Sequence, residues 1–301
     1  MKTQIKTLLL ATDFTDKSEN ALRVAAKMAQ RHDAQLIVTH SVHAYYIVDR
    51  AGRQVIGSDT LQESVVLATQ KLDNLSIMLQ KEYNLKVETK LSTQNVVDSI
   101  NDLLLSEDID LVILGTSGKQ TVKELILGSH AYNVLLHAKC SVLLIPENFS
   151  KSDFKKILFP VRIPQELEQK ADLSLLIADK NDGEINLLGV ANVGSAEMVR
   201  EAYMEMKKHL LLKYGEHFCE FKVATNNADV IADAALEQQS DLILLADHDE
   251  DSWKSFMAAN FFKKIINKTD VPLLIVKPKI DPTENSRESM TNYDITMPIP
   301  G

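Results

Sequence analysis

The segment Leu111-Val112-Ile113-Leu114-Gly115-Thr116-Ser117-Gly118 joins an apolar run to a glycine-containing turn. Its first four residues have the length and flanking residues of a buried strand. A helical pattern over about 122–137 follows and carries Gly128 and Ser129. Glycine lets main-chain N–H groups approach an anion closely, and a helix N-terminus adds donors and partial positive charge. The segment therefore predicts a phosphate-binding turn. The alternative is that the glycines only form the turn between the strand and the helix.

The composition limits the classes of protein to which this chain can belong. The 301 residues allow two domains of ordinary size, and 45% hydrophobic with 25% charged residues is typical of a globular protein. The net charge of −9 argues against a broad surface for nucleic acid or anionic membrane. Cys140 and Cys219 have no metal-ligand or CxxC spacing, which favours reduced thiols. With no run long enough for a membrane span or a signal segment, we expect a cytoplasmic protein.

The two halves of the chain resemble each other. Asp110–Leu114 is similar to Asp241–Leu245, and other strand-like segments repeat at comparable offsets. The further matching pairs are Lys6–Asp13 with Lys155–Arg162, Leu36–Val42 with Ile185–Ala191, and Ser141–Ile145 with Pro272–Val276. We interpret the chain as a duplication, with domains at 1–147 and 154–279. The tail at 280–301 is predicted to be disordered or to lie along the surface as a strand-like segment.

Strands alternate with helical patterns in each half, which predicts an α/β fold with helices on both faces of a parallel sheet. We expect two tandem doubly wound five-stranded sheets in strand order 3-2-1-4-5. The segment 43–60 is polar and is interpreted as a loop. In this order a crevice forms between the carboxyl ends of the first and fourth strands, where ligands bind. Asp13 and Gly115 end these two strands, so both are expected to line the crevice.

These residues resemble the universal stress protein family in its tandem two-domain form, over about Lys2 to Lys277. Family members that bind ATP carry the pattern G-x2-G-x9-G-[ST] after the fourth strand. Gly115, Gly118, Gly128 and Ser129 meet this pattern, and Ala11-Thr12-Asp13-Phe14 is also similar to that subgroup. The resemblance implies a Rossmann-like fold of the adenine nucleotide alpha hydrolase type and a bound adenine nucleotide, ATP or a relative, with Mg²⁺ as a candidate companion.

The resemblance also implies roles for individual residues of the first half. Thr12 and Asp13 would lie at the ribose and adenine end, and the main chain of Ser41 would contact adenine. Leu114 and Gly115 would pack on the ribose, and the glycines with the start of the next helix would hold the phosphates. The complete set of predicted ligand contacts is Ala11, Thr12, Asp13, Ser41, Leu114, Gly115, Gly118, Lys119, Gly128, Ser129, His130 and Ala131.

The second half departs from this pattern at each decisive position. The replacements are Arg162 for Asp13, Ala246 for Gly115, Asp249 for Gly118, Ala259 for Gly128 and Asn260 for Ser129. A carboxylate in place of a phosphate-binding glycine adds bulk and like-charge repulsion. We therefore predict one ATP site per chain, in the first half.

No residues are predicted to be catalytic or to bind a metal in their own right. The sequence has no G-x-S-x-G elbow and no Walker loop, and phosphoryl transfer needs such parts for its rate. His40 is interpreted as a structural histidine, and the acidic run 247–251 as a solvated turn. The leading hypothesis is a nucleotide-binding stress or regulatory protein. The alternatives are a slow ATPase or nucleotide-transferring enzyme, and an interaction module that uses no nucleotide.

The last strand of each half would leave an apolar sheet edge without a partner. The resemblance implies that these two strands pair with each other, so that the chain forms an intramolecular pseudo-dimer. Further homodimerisation and the identity of a protein partner stay open. The predicted partners are thus an adenine nucleotide and an unknown protein, with neither nucleic acid nor membrane.

Overall fold

The computed structural model describes residues 4–42, 46–48, 54–56, 58–116, 129–162, 167–214, 218–246 and 256–277. The strands are β1 (Thr7–Ala11), β2 (Gln35–Ser41), β3 (Tyr46–Val48), β4 (Gln54–Ile56), β5 (Val87–Ser92), β6 (Leu111–Thr116), β7 (Ser141–Pro146), β8 (Lys156–Val161), β9 (Glu184–Ala191), β10 (Cys219–Val223), β11 (Leu242–Ala246) and β12 (Leu273–Val276). The helices are α1 (Asp16–His32), α2 (Ser58–Tyr83), α3 (Val96–Ser106), α4 (Ser129–His137), α5 (Leu167–Asn181), α6 (Ala196–Tyr214), α7 (Asn227–Glu237) and α8 (Phe256–Lys268).

Ten strands form one sheet in the order β10-β9-β8-β11-β12-β7-β6-β1-β2-β5. All neighbours are parallel except β7 and β12, which pair antiparallel with Leu143 opposite Leu274. The predicted α/β fold with a mostly parallel sheet is therefore confirmed. The β7–β12 pairing, which was expected between the last strands of the two halves, joins five strands from each half into this one continuous sheet.

Helices cover both faces of this sheet because its central strands are buried on both sides. One apolar core lies under α1, α2, α5 and α6, and the other under α3, α4, α7 and α8. Along β1, successive side chains alternate between these cores, with Leu8 and Leu10 in the first and Leu9 in the second. An apolar run without polar alternation is what a sheet covered on both faces requires.

A repeated carboxylate fixes the start of the central strands in both halves. Asp110 precedes β6 and accepts hydrogen bonds from the main-chain N–H groups of Lys6 and Thr7, at 2.7 and 3.0 Å. Asp241 occupies the matching position before β11 and accepts from the N–H groups of Lys155 and Lys156, both at 2.9 Å. The same contact at the same place in both halves sets the register between the neighbouring strands.

The two outer strands carry matching ion pairs. On β5, Lys90 Nζ lies 2.5 Å from Glu88 and 3.4 Å from Glu107. On β10, Lys222 Nζ lies 3.1 Å from Glu220 and 4.0 Å from Glu237. Charged side chains on an edge strand hinder the addition of a further strand.

Some local predictions need correction. The segment 43–60 contains the antiparallel pair β3–β4, and α2 begins at Ser58, so its interpretation as a loop is wrong. Thr15 is the N-cap of α1, although its side chain makes no capping bond. The predicted helix at 122–137 is described only from Ser129 onwards. The predicted tail at 280–301 lies outside the described residues.

Candidate functional site

A cavity of about 530 Å³ opens where β1, β2 and β6 end, with α4 and α2 along its sides. Seven of the predicted ligand contacts line it, and they come from separate parts of the first half. They are Ala11, Thr12, Asp13, Ser41, Leu114, Gly115 and Ala131. The cavity thus lies at the carboxyl edge of the sheet, between β1 and β6, where the strand order reverses direction.

The other predicted contacts fall into two groups. Gly118, Lys119 and Gly128 lie outside the described residues. Ser129 and His130 form the first positions of α4, where the structure describes the main chain. Ala131 and Val134, on the next turn, both line the cavity. The N-terminal part of α4 therefore flanks the same space that Asp13 and Ser41 line.

Hydroxyl groups organise the loop that follows β1. The Thr12 hydroxyl donates to Ser18 Oγ at 3.0 Å and accepts from the Phe14 N–H group at 3.1 Å. Ser18 in turn donates to the Thr15 carbonyl at 2.9 Å. These bonds tie the loop to the first turn of α1. The Thr12 hydroxyl is thus occupied by bonds within the protein, although Thr12 also lines the cavity.

The Asp13 carboxylate lies at the mouth of this loop. Its Oδ1 atom accepts from the Thr15 N–H group at 3.0 Å and from the Thr15 hydroxyl at 2.5 Å. Partial burial alone would raise the pKa of Asp13, but these bonds, with a further one from Ser18, outweigh it and lower the pKa. Asp13 is therefore an ionised hydrogen-bond acceptor at neutral pH.

Phe14 has a backbone conformation that a bulky residue rarely adopts, with φ at 59°. Its ring lies against the His40 ring, with centroids 4.4 Å apart, and Lys71 Nζ lies 5.2 Å from the Phe14 ring centroid. These neighbours hold Phe14 at the cavity wall, which it lines together with His40 and Lys71. Strained backbone of this kind is concentrated at functional sites.

His40 connects β2 to the loop after β1. Its Nδ1 atom lies 2.7 Å from the Thr12 carbonyl oxygen. Because a carbonyl only accepts, Nδ1 carries the proton in this contact. His40 is thus hydrogen-bonded, as expected of a structural histidine, and its ring also contributes to the cavity wall.

Gly115 ends β6 against the first turn of α1. A Cβ atom at this position would lie 2.4 Å from the Lys17 carbonyl oxygen and 2.8 Å from its carbon. The close approach of α1 is therefore sufficient reason for glycine here, whether or not a ligand is present. The contact that requires glycine is thus with protein, and a ligand contact of Gly115 stays a prediction.

Two buried hydroxyls at the ends of β2 and β6 suit a polar ligand. Within the described part of the chain, Ser41 Oγ and Thr116 Oγ1 are buried and have no hydrogen-bond partner. A buried polar group without a partner costs about 1–3 kcal/mol, so such groups are usually satisfied by protein, water or ligand. Ser41 lines the cavity, which makes this hydroxyl an observation in favour of a polar occupant.

One wall of the cavity comes from α2 and was not predicted. Ser64, Leu67, Ala68 and Lys71 lie at successive turns on one side of this helix and line the cavity. Phe14 in the loop after β1 was missed as well, and so were Lys17 and Ser18 in the first turn of α1. Helical spacing at 64, 67, 68 and 71 was visible in the sequence, but nothing in it indicated which element this helix side faces.

The corresponding region of the second half has different chemistry. Arg162 follows β8 at the position of Asp13, and its guanidinium carbon lies 4.1 Å from the centroid of the Phe261 ring on α8. Lys170 on α5 is buried and donates to the Pro160 carbonyl. Ala246 ends β11 in place of Gly115. The acidic run 247–251 lies outside the described residues, and the structure describes only the main chain of Ala259 and Asn260.

Two negative findings concern the described residues alone. Within these ranges no three His, Cys, Asp or Glu side chains come together as a metal site would require. In the same part of the chain, every helix is too short or too polar to cross a bilayer.

Comparisons with known proteins identify the family of this chain. The sequence profile of the universal stress protein family matches residues 4–146. A universal stress protein of Thermus aquaticus is 31% identical over 141 residues, which is 46% of this chain and 98% of that protein. One from Methanocaldococcus jannaschii is 27% identical over 148 residues, covering 46% of this chain and 81% of its own length. The chain belongs to the universal stress protein family.

Solved structures show the same fold over most of the chain. A universal stress protein from Archaeoglobus fulgidus superimposes with a TM-score of 0.70 at 15% identity, covering 90% of this chain and 98% of its own. A Pseudomonas aeruginosa protein of unknown function gives a TM-score of 0.66 at 14% identity, covering 96% and 99%. At such identities the likeness concerns the fold and not the ligand.

Proposed function

We propose that the first half binds ATP or another adenine nucleotide in the cavity at the ends of β1, β2 and β6. In this proposal the nucleotide is a ligand or signal in a stress-response or regulatory protein, with little or no turnover. The chain would consist of two tandem domains, 1–147 and 154–279, of which the first belongs to the ATP-binding subgroup. Cys140 and Cys219, which have neither CxxC nor metal-ligand spacing, fit a reducing compartment such as the cytoplasm.

The convergence of separate elements on one cavity carries this proposal. Asp13, Ser41, Gly115 and Ala131 are far apart in sequence, yet they line the same space of about 530 Å³. They come from the ends of three adjacent strands and from the start of α4. Crevices at this edge of a doubly wound sheet are where ligands of this fold class bind.

The chemistry of the lining suits the parts of an adenine nucleotide. The ionised Asp13 carboxylate can accept from a ribose hydroxyl, and the main chain at Ser41 offers hydrogen-bonding groups for adenine. The start of α4 can supply main-chain donors and a partial positive charge for phosphates. Lys17 and Lys71 add positive charge to the lining. Mg²⁺ accompanying the phosphates is part of the proposal.

The second half would not share this activity. Arg162 replaces the ribose acceptor with a cation, and its stacking on Phe261 places two large side chains where the first half has Asp13 and the start of α4. An ionised acceptor cannot be replaced by a guanidinium, because guanidinium donates only. One nucleotide per chain is the stoichiometry that this difference supports.

Calorimetric titration with ATP tests the proposal. We expect one ATP per chain, and Asp13→Asn should weaken binding about tenfold or more, since a hydrogen bond to a charged group contributes about 1.5–3 kcal/mol. Asp102→Asn on the exposed side of α3 is the matched control and should leave affinity unchanged. No ATP binding by the unaltered protein, or two equal sites per chain, would refute the proposal. Mass spectrometry of small molecules that co-purify would identify the nucleotide.

A further inference from the structure

A buried lysine from the second half contacts the helix that flanks the cavity of the first half. Lys277 follows β12 and is 8% exposed. Its Nζ atom donates to the main-chain carbonyls of Leu135 at 2.6 Å and Ala138 at 3.0 Å. Leu135 lies in the last turn of α4, and Ala138 directly follows this helix. The Lys277 N–H group also donates to Ser141 Oγ at 3.1 Å, which fixes the backbone that carries the side chain.

The position of this contact links the two halves through one short helix. The last carbonyls of an α-helix lack intrahelical partners and carry partial negative charge, so an ammonium group there satisfies and attracts them. The nine residues of α4 span only about 13 Å at 1.5 Å per residue. Its other end contributes Ala131 to the cavity wall. A contact that holds the C-terminal end of this described span limits how far Ser129–Ala131 can tilt or shift.

The two halves differ in this contact. The first half receives it from Lys277 of the second half, and the first half also carries the intact nucleotide motif. Aligning Ser141–Ile145 with Pro272–Val276 places Pro146 of the first half at the position of Lys277. Proline has no side-chain donor, so β7 cannot cap the C-terminus of α8 in this way. Near that end of α8, Thr269 Oγ1 bonds instead to the Ile265 carbonyl at 3.1 Å. The half with the degenerate motif therefore supplies a cap to the half with the intact motif.

We propose that Lys277 is a positioning residue for the nucleotide site, acting through α4 on the main-chain groups that would receive the phosphates. This inference rests on the proposed function, because it assigns the start of α4 to the phosphate end of the ligand. It gives the second half a role in binding although that half holds no nucleotide of its own. Lys277 does not touch the ligand, so its influence falls on the phosphates and not on adenine or ribose.

Paired titrations with ATP and with adenosine test this role in the full chain. In Lys277→Met the affinity for ATP should fall about tenfold, while that for adenosine stays within about twofold. Lys277→Arg, which keeps a cationic donor, should restore ATP affinity to within about threefold of the original. Main-chain amides of α4 should exchange hydrogen faster in Lys277→Met than in the unaltered protein.

Lys170→Met is the matched control, because it removes another buried lysine that donates to a main-chain carbonyl. It should leave both the ratio of ATP to adenosine affinity and exchange in α4 unchanged. If Lys277→Met does not fold, Lys277→Gln keeps a neutral donor at the site and is read in the same way. Unchanged ATP affinity in the folded variant, or a parallel loss of ATP and adenosine, would overturn the positioning role. Absence of binding by the unaltered protein would overturn the proposed function itself and this inference with it.

Discussion

At Gly115 a missing side chain allows α1 to approach the end of β6. A Cβ atom here would lie 2.4 Å from the Lys17 carbonyl oxygen, which is shorter than any ordinary contact. Because the neighbouring atom is main chain, it cannot turn aside as a flexible side chain would. Either α1 or the end of β6 would have to move, and both line the cavity.

We therefore expect Gly115→Ala to lower the free energy of unfolding by about 1–3 kcal/mol, the usual effect of overpacking a close contact. Gly194→Ala is the control, since a Cβ atom there would meet nothing within 4 Å. Urea titration of both variants measures the difference. Equal stability of the two variants would show that α1 can move away from residue 115 without a loss in the free energy of unfolding.

His32 is a buried histidine in the last turn of α1. Burial, followed by the charges of Lys180 and Arg31, lowers the pKa of His32 from an ordinary value of 6.5 to about 4. The unfolded chain therefore takes up a proton at higher pH than the folded chain. Stability that is complete above pH 6.5 is lost as the pH falls towards 4.

For the unaltered protein we expect the free energy of unfolding to be roughly 1–2 kcal/mol lower at pH 5 than at pH 7.5 because of His32. Replacing His32 with glutamine, which does not titrate, should remove that part of the pH dependence. His209, an exposed histidine on α6, provides the control in His209→Gln. Urea titrations at both pH values measure the effect. If the free energy of unfolding of His32→Gln falls between pH 7.5 and pH 5 as much as that of the unaltered protein, the assignment to His32 is contradicted.

Among the elements, the central strands depend on the carboxylate that precedes each of β6 and β11. Asp241 is 2% exposed and accepts from two main-chain N–H groups as well as from Lys151 Nζ. An asparagine can keep one oxygen opposite the two main-chain N–H groups, but its NH2 group then faces Lys151 Nζ, and two donors cannot satisfy each other. The substitution also replaces a buried charged acceptor by a neutral one, which weakens the bonds to the strand start.

Asp241→Asn should therefore lower the free energy of unfolding by about 2–3 kcal/mol. Asp233→Asn is the comparison, because Asp233 forms an exposed ion pair with Lys268 at 2.8 Å and such pairs contribute little. Thermal melting of the two variants distinguishes the cases. A loss in Asp241→Asn as small as that in Asp233→Asn would show that Asp241 does not set the strand register.

Elements whose apolar residues follow a clear period were predictable, whereas most side-chain contacts between elements were not. The buried strands β1, β6 and β7 follow from their apolar runs. The pair β3–β4 was missed because its three-residue strands are too short for a period to emerge from a polar segment. Likewise, Asp13 and Gly115 followed from strand ends, whereas the α2 wall depends on which way that helix faces after folding.

In the whole molecule, the β7–β12 pairing makes one sheet of ten strands. Leu143 and Leu274 face each other across this pairing, and both are fully buried. The halves therefore share apolar cores on both faces of the sheet and do not merely touch. The family resemblance implied this pairing, while the cap from Lys277 could not be predicted, because it depends on the side-by-side placement that the pairing creates.

A charge in this pairing should separate the halves. We expect Leu274→Asp to lose several kcal/mol of stability, since an ionised carboxylate would be buried among apolar side chains. Small-angle scattering should show a larger radius of gyration than for the original protein. Leu212→Asp, at a side chain that is 79% exposed, should change neither property. Unchanged compactness of Leu274→Asp would argue against the pairing.

The matching ion pairs on β5 and β10 also limit what the molecule can build. Each margin of the sheet presents a lysine flanked by glutamates, Lys90 at one end and Lys222 at the other. Two copies that met margin to margin would have to strip water from these charges before any main-chain bond formed between them. Assemblies of this protein should therefore grow through helical faces, and concentrated solutions should resist conversion to fibrils.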